Sequence, residues 1–94
     1  MRVLGKALIS EFSSSHADAR DALAAWLYEA EEAEWKAPLD ITERYPNSSI
    51  LGGRRVVFNI KGNRYRLDAK IDFARALVIV VRIGTHAEYD KWEF

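Results

Sequence analysis

The segment RVVFNIKGNRYRLDAK, Arg55–Lys70, decides how the rest of the chain is read. Apolar and polar residues alternate on both sides of Gly62-Asn63, and Gly-Asn is a good two-residue reversal between antiparallel strands. With those two residues as the turn, Lys61 opposes Arg64, Ile60 opposes Tyr65, Asn59 opposes Arg66, Phe58 opposes Leu67, Val57 opposes Asp68, Val56 opposes Ala69 and Arg55 opposes Lys70. Opposed residues share a face, and faces alternate along each strand. Val56, Phe58, Ile60, Tyr65, Leu67 and Ala69 therefore form a core face. Arg55, Asn59, Lys61, Arg64, Arg66 and Lys70 form a basic one, relieved only by Val57 and Asp68. A slip of one residue destroys this separation, which supports the register. The pairs Lys61/Arg64 and Arg55/Lys70 oppose like charges, at roughly a few tenths of a kcal/mol each. A surface that tolerates this twice implies an anionic ligand.

Outward from the hairpin, Leu77–Ile83 reads as a third strand. Leu77, Ile79, Val81 and Ile83 form one set, with Val78, Val80 and Arg82 on the other side. A strand apolar on both faces is central and at least partly covered on both. Arg82 at its exit is either an ion-pair partner for a helix acid or a phosphate ligand beside Arg66. Upstream, Ala19, Ala22, Leu23, Trp26, Leu27, Ala30 and Ala33 recur at helical spacing, predicting a buried face on a helix over His16–Trp35. Its acids Asp18, Asp21, Glu29 and Glu32 read as a solvated surface. Arg2–Ile9 starts as a strand, or as a short helix from Lys6, and Ser13-Ser14-Ser15 marks a break. Pro38–Thr42 reads as a turn or short helix, and Tyr45–Ser49 as loop.

A single domain over residues 1–94 is expected from this length. Hydrophobic residues make up 49% of the chain and cysteine is absent, so a core is affordable while disulfides and cysteine metal sites are excluded. No run approaches the roughly 18 apolar residues of a membrane span, and the polar start does not read as a signal peptide. A soluble, cytoplasmic protein is expected. The net charge of zero conceals a division: residues 10–45 hold nine acids against three bases, and residues 53–82 hold eight bases against two acids. A basic half points to a polyanionic partner.

The stretch RIGTHAEYDKW, Arg82–Trp92, follows the third strand. Thr85 and Glu88 match a capping box, so a short helical turn begins where the strand ends. Capping, packing by Tyr89 and Trp92, and an exposed His86 would account for it structurally. The same geometry also suits chemistry. A helix N-terminus attracts phosphate, histidine is matched to proton transfer near neutral pH, and Tyr89 is placed to stack a base or donate its phenol. A basic floor, a proton-transfer group and an aromatic are the parts needed to cut RNA.

Several of these stretches together carry a resemblance. RYPNSSIL (Arg44–Leu51), VVFNIKGNRYRL (Val56–Leu67) and GTHAEYDK (Gly84–Lys91), with HADARDALAAWLYEAEEAEWKAP (His16–Pro38) as the long helix, resemble the HigB branch of the RelE/ParE toxin superfamily. The most specific parts are Phe58, Asn59, Gly62, Asn63 and Arg66, and the run Thr85–Asp90. The resemblance implies a compact α/β (α+β) RelE-like fold: a twisted, mostly antiparallel sheet backed by N-terminal helices, with a short C-terminal helical turn. It implies the toxin of a type II toxin–antitoxin pair, a metal- and cofactor-independent endoribonuclease acting on mRNA, usually on the ribosome. Its implied partner is a HigA-like helix-turn-helix antitoxin, through which alone it would meet operator DNA. Carried over by position, Arg66 and Arg82 hold the scissile phosphate, Asn63 and Arg64 lie near the RNA, His86 transfers a proton and Tyr89 stacks or supports. Many ribosome-dependent relatives are strongly basic, whereas this chain is neutral; either its acidic helix weakens ribosome binding or it faces the antitoxin. The competing function is a non-catalytic one, simple nucleic-acid binding or ParE-like poisoning of gyrase.

Overall fold

The computed structural model describes all residues 1–94. Five strands form one sheet: β1 (Arg2–Leu4), β2 (Ser49–Leu51), β3 (Arg55–Ile60), β4 (Tyr65–Asp72) and β5 (Leu77–Thr85). Their order is β1-β5-β4-β3-β2, with β1 parallel to β5 and every other pair antiparallel. Helices α1 (Lys6–Ser15), α2 (Arg20–Glu32) and α3 (Pro38–Arg44) precede β2, and α4 (His86–Tyr89) follows β5. The arrangement is α+β, a RelE-like layer of helices on a mostly antiparallel sheet. No helix is long and apolar enough to cross a membrane.

The hairpin register is the one the alternation implies, from Arg55 opposite Lys70 to Ile60 opposite Tyr65. Its tip differs. Lys61 and Gly62 both take positive φ (52° and 64°), and the ladder stops at Ile60/Tyr65. Lys61 and Arg64 belong to the turn, closed by the Arg64 N–H donating to the Lys61 carbonyl at 3.3 Å. Freed from the pleat, their side chains do not follow the strand's faces.

β5 departs from simple alternation. A bulge between the Asp68/Arg82 and Ala69/Val80 pairs leaves Val81 unopposed. Val80 therefore points into the core while Arg82 joins the opposite face, beside Asp68. The expected grouping of Val80 with Arg82 is corrected by that one inserted residue. β2 is a further element that the reading as loop missed at its end, a short edge strand along β3.

The core lies between the helices and the inner face of the sheet. Val56, Phe58, Ile60, Tyr65, Leu67, Ala69, Ile71, Val78 and Val80 meet Leu23, Trp26 and Ala30 of α2, Ile9 of α1 and Ile41 of α3. Phe58 is fully buried and touches three aromatic rings, those of Trp26, Trp35 and Tyr45 at 5.2–6.0 Å. Burying a side chain of that size contributes about 1.5–3 kcal/mol. Gly5 lets β1 turn into α1 against β5: its φ is +87°, and a Cβ there would meet the Val80 carbonyl oxygen at 2.8 Å.

The long helix is shorter than its apolar spacing suggests. A 3₁₀ turn occupies Ala17–Ala19, and α2 ends at Glu32, leaving Trp35 beyond it. Acids at a helix C-terminus oppose its dipole, and α2 has no base in its last turn. The Met1 ammonium supplies the missing cation, donating to the carbonyls of Glu31 and Ala33 at 3.2 and 2.5 Å.

Candidate nucleic-acid interface and active site

β4 is the spine of the face turned away from the helices. Arg66, Asp68 and Lys70 project there, beside Asn59, Val57 and Arg55 of β3 and Gly84 and Arg82 of β5. The structure thus brings Arg55, Asn59, Arg66, Lys70 and Arg82 onto one surface.

Arg66 is 7% exposed. Its Nη1 donates to the carbonyls of Asn63 and Tyr65 at 2.9 and 3.3 Å, and Nη2 donates to Asn63 Oδ1 at 2.7 Å. Tyr89 covers the guanidinium, with Cζ 5.1 Å from the ring centroid. Every acceptor is neutral, and no carboxylate pairs with this cation. A buried charge without a counter-ion is costly. Asn63, expected near the RNA, has the observed role of holding Arg66 in place.

Asp68 sits at the centre of the face and is fully buried. Its carboxylate accepts Arg55 Nε at 2.9 Å, Arg55 Nη2, and Arg82 Nε at 2.9 Å. The bond to Asp68 raises the Arg55 guanidinium above its ordinary value, against the opposing effect of burial. Arg82 is therefore an ion-pair partner of the neighbouring strand, not of a helix acid. Two cations on one carboxylate leave a net positive charge, and Lys70 beside them is exposed.

Lys61 and Arg64 are not on this face. They reach over the hairpin tip to Asp18, in the 3₁₀ turn before α2: Arg64 Nη1 lies 2.8 Å from Oδ2, and Lys61 Nζ is 3.0 Å from the Asp18 carbonyl. Tyr65 also donates to Asp18 Oδ1, at 2.5 Å. That phenol first, and Arg64 second, lower the Asp18 carboxyl to about 2. Asp68 thus takes up part of the charge at the Arg55/Lys70 pair, and Asp18 binds Lys61 and Arg64, which the turn has already taken out of opposition. Repulsion between these cations is therefore relieved in part within the chain, whereas buried Arg66 has no carboxylate at all. Asp18 and Glu29 are likewise more than solvated charges, since Glu29 accepts bonds from Tyr45 and Arg44.

His86 opens α4 at the rim of the face. The capping box is present: Glu88 N–H donates to Thr85 Oγ1 at 3.1 Å and Thr85 N–H to Glu88 Oε1 at 2.9 Å. The His86 N–H is taken by the Arg64 carbonyl at 3.1 Å. The His86 and Glu88 donors of the first turn of α4 are thus committed within the chain. The His86 ring, its side chain 48% exposed, has Nδ1 3.4 Å from Asp90 Oδ2 and stands edge-on to Tyr89 at 6.4 Å. Nε2 has no partner within the chain. Tyr89 is thus adjacent to both His86 and Arg66.

Beside Asn59, a polar groove of about 220 Å³ is lined by Arg44–Ser48, Asn59 and Gly62. Past α4, Trp92 and Phe94 lie over the arginines: Arg82 Cζ is 4.4 and 5.0 Å from the two rings, and Arg55 Cζ is 5.5 Å from Phe94. Sequence reading passed over Asp68 as a clamp, Asp90 and Phe94, and gave Trp92 only a packing role. Asp90 carried a signal, standing four residues after His86 at helical spacing. Phe94 had none, because no periodic element contains it.

Residues 19–92 match the HigB toxin family, described as the RelE-like toxic component of a toxin–antitoxin system. The match takes in α2, the hairpin, β5 and α4. No curated protein matches the chain.

Proposed function

The chain belongs to the HigB toxin family, RelE-like toxic components of toxin–antitoxin systems, and from that premise we propose that it is an endoribonuclease that cuts mRNA. The observation that carries this reading is Arg66: a buried, pre-positioned guanidinium with neutral acceptors and an aromatic ring around it, and no carboxylate. A guanidinium so placed is complementary to a phosphodiester. The 2′-hydroxyl attacks the adjacent phosphorus, its proton is removed, and the 5′-oxygen departs taking a proton. The products are a 2′,3′-cyclic phosphate and a 5′-hydroxyl. Arg66 stabilises the charge that builds on the phosphorane. His86 moves a proton through Nε2, with Asp90 orienting the ring from Nδ1. Tyr89 holds Arg66 and offers a ring to a neighbouring base. Arg55, Arg82 and Lys70 supply the remaining positive field, and Asn59 contacts the RNA beside them.

The partner of such a toxin is an antitoxin. We assign it to the HigA-like class with a helix-turn-helix domain, the ribosome as the place of action and the cytoplasm as the compartment. Expression of the wild-type chain is expected to stop growth, and co-expression of the neighbouring antitoxin to restore it. Arg66→Ala and His86→Ala are expected to be folded and harmless. Undiminished toxicity in both would remove the proposed site. The non-catalytic alternative rests on the basic face alone and predicts a different pattern: His86→Ala changes little, while charge reversal at Arg55 and Lys70 abolishes the effect.

A further inference from the structure

Arginines and aromatic rings alternate along the open face. Arg66 lies on Tyr89, Tyr89 meets Trp92 edge-on at 5.7 Å, Arg82 lies on both Trp92 and Phe94, and Arg55 lies on Phe94. Trp92 is seated where β5 has no side chain: a Cβ on Gly84 would come within 2.7 Å of the Trp92 ring, and Gly84 is the residue opposite Arg66. Beneath the arginines, Asp68 fixes both Arg55 and Arg82. The Glu93 carbonyl accepts a further bond from Arg82 Nη2 at 3.2 Å. The C-terminal segment is thus laid along the face by specific contacts. Phe94 nevertheless remains 55% exposed. Its ring meets two guanidinium groups and still presents apolar surface to solvent.

We propose that Trp92 and Phe94 form a stacking platform for unpaired nucleobases, next to the phosphate held at Arg66. The chemistry matches single-stranded RNA: aromatic faces take bases irrespective of sequence, and guanidinium groups beneath them polarise the stack and neutralise the adjoining phosphates. Trp92 and Phe94 lie on guanidinium groups, so the surface is aromatic and cationic, which suits a single-stranded polyanion better than an apolar protein face. The platform deepens the ribonuclease reading, and rests on it for the identity of the strand. It goes beyond it in assigning the nucleotides next to the cut to residues outside the Arg66–His86 centre.

The test is a binding measurement that needs no cleavage. Trp26 and Trp35 are buried, at 3% and 7% exposure, so quenching by a docked base reports on Trp92. The full chain is titrated with a single-stranded 2′-O-methyl oligonucleotide, which has no 2′-hydroxyl to attack, and with an abasic oligomer of the same length and charge. The base-bearing strand is expected to quench Trp92 and to bind at least about tenfold more tightly, as the stacking of even one base implies. Phe94→Leu is expected to erase most of that difference, and Phe94→Tyr to keep it. Equal affinity for the two oligomers, no binding of either, or an unchanged preference in Phe94→Leu would overturn the platform. A base-dependent preference in a protein that never cuts RNA would instead refute the ribonuclease reading and leave the platform standing.

Discussion

Replacing Arg66 by methionine separates function from stability at a single atom group. The guanidinium makes three hydrogen bonds, all to neutral oxygens, and one of them is long at 3.3 Å. Two of the three accepting atoms belong to Asn63, which is exposed, so water takes over those bonds when the guanidinium is removed. The cation is desolvated with no carboxylate to repay it, and methionine preserves the apolar stem. Arg66→Met is therefore expected to change folding stability by no more than about 1 kcal/mol in either direction. In urea that is a midpoint shift of about 1 M or less, for a slope near 1 kcal/mol/M. Cleavage should respond very differently. Losing one preorganised donor to a transition-state oxygen costs about 10²–10³ in rate. Urea denaturation and single-turnover cleavage of the same preparation give both numbers. A stability loss of 3 kcal/mol or more would make Arg66 a structural strut and refute the reasoning, as would a stable variant that cuts at the wild-type rate.

Asp18 makes a pH-dependent contribution. Its carboxyl is lowered from 3.8 to about 2 in the folded chain, first by the Tyr65 hydroxyl and then by Arg64. The stabilisation is fully present above the unfolded value and is lost as pH falls through the folded one. Acid titration of Asp18→Asn should therefore show a flatter loss of stability between pH 4 and 2 than wild type; identical curves would contradict the clasp. Asp68→Asn strips the shared carboxylate charge from Arg55 and Arg82, at a cost of about 3–5 kcal/mol by urea unfolding. In protein that remains folded, the slope of log affinity for single-stranded RNA against log salt should steepen by about 0.7. An unaltered slope would mean that these arginines do not face the strand. Asn59→Ala should alter which sequences are cut more than how fast, because Asn59 lines the groove beside the Arg66 strand position. Unchanged cleavage sites in sequenced RNA ends would dismiss that role.

The hairpin was legible because two independent signals agree at Gly62-Asn63: turn chemistry and period-two alternation. Where only one signal operated, the reading was less complete. The run of β-branched residues around Val81 satisfies a strand on either face, so the bulge that turns Arg82 toward Asp68 left no trace in the pattern. β2 is three residues long with Ile50 exposed, too little for periodicity to register. The charges were harder still. Alternation predicts which face a strand residue takes, and it correctly grouped Arg55, Asn59, Arg66 and Lys70. It fails for Lys61 and Arg64, because a turn with positive φ is no longer pleated. It also says nothing about pairing. Whether a cation is answered by Asp68, by Asp18 or by nothing depends on contacts between residues 13 to 46 positions apart. Arg66 is distinguished from its neighbours by lacking a carboxylate while buried, whereas Lys70, also without one, is exposed.

The ribonuclease assignment is tested most directly by mapping RNA ends in a translation reaction supplied with the purified chain. We expect new 5′-hydroxyl ends within the translated message, present with wild type and absent with Arg66→Met and His86→Ala. A message that stays intact at large excess of folded wild-type protein would contradict the assignment.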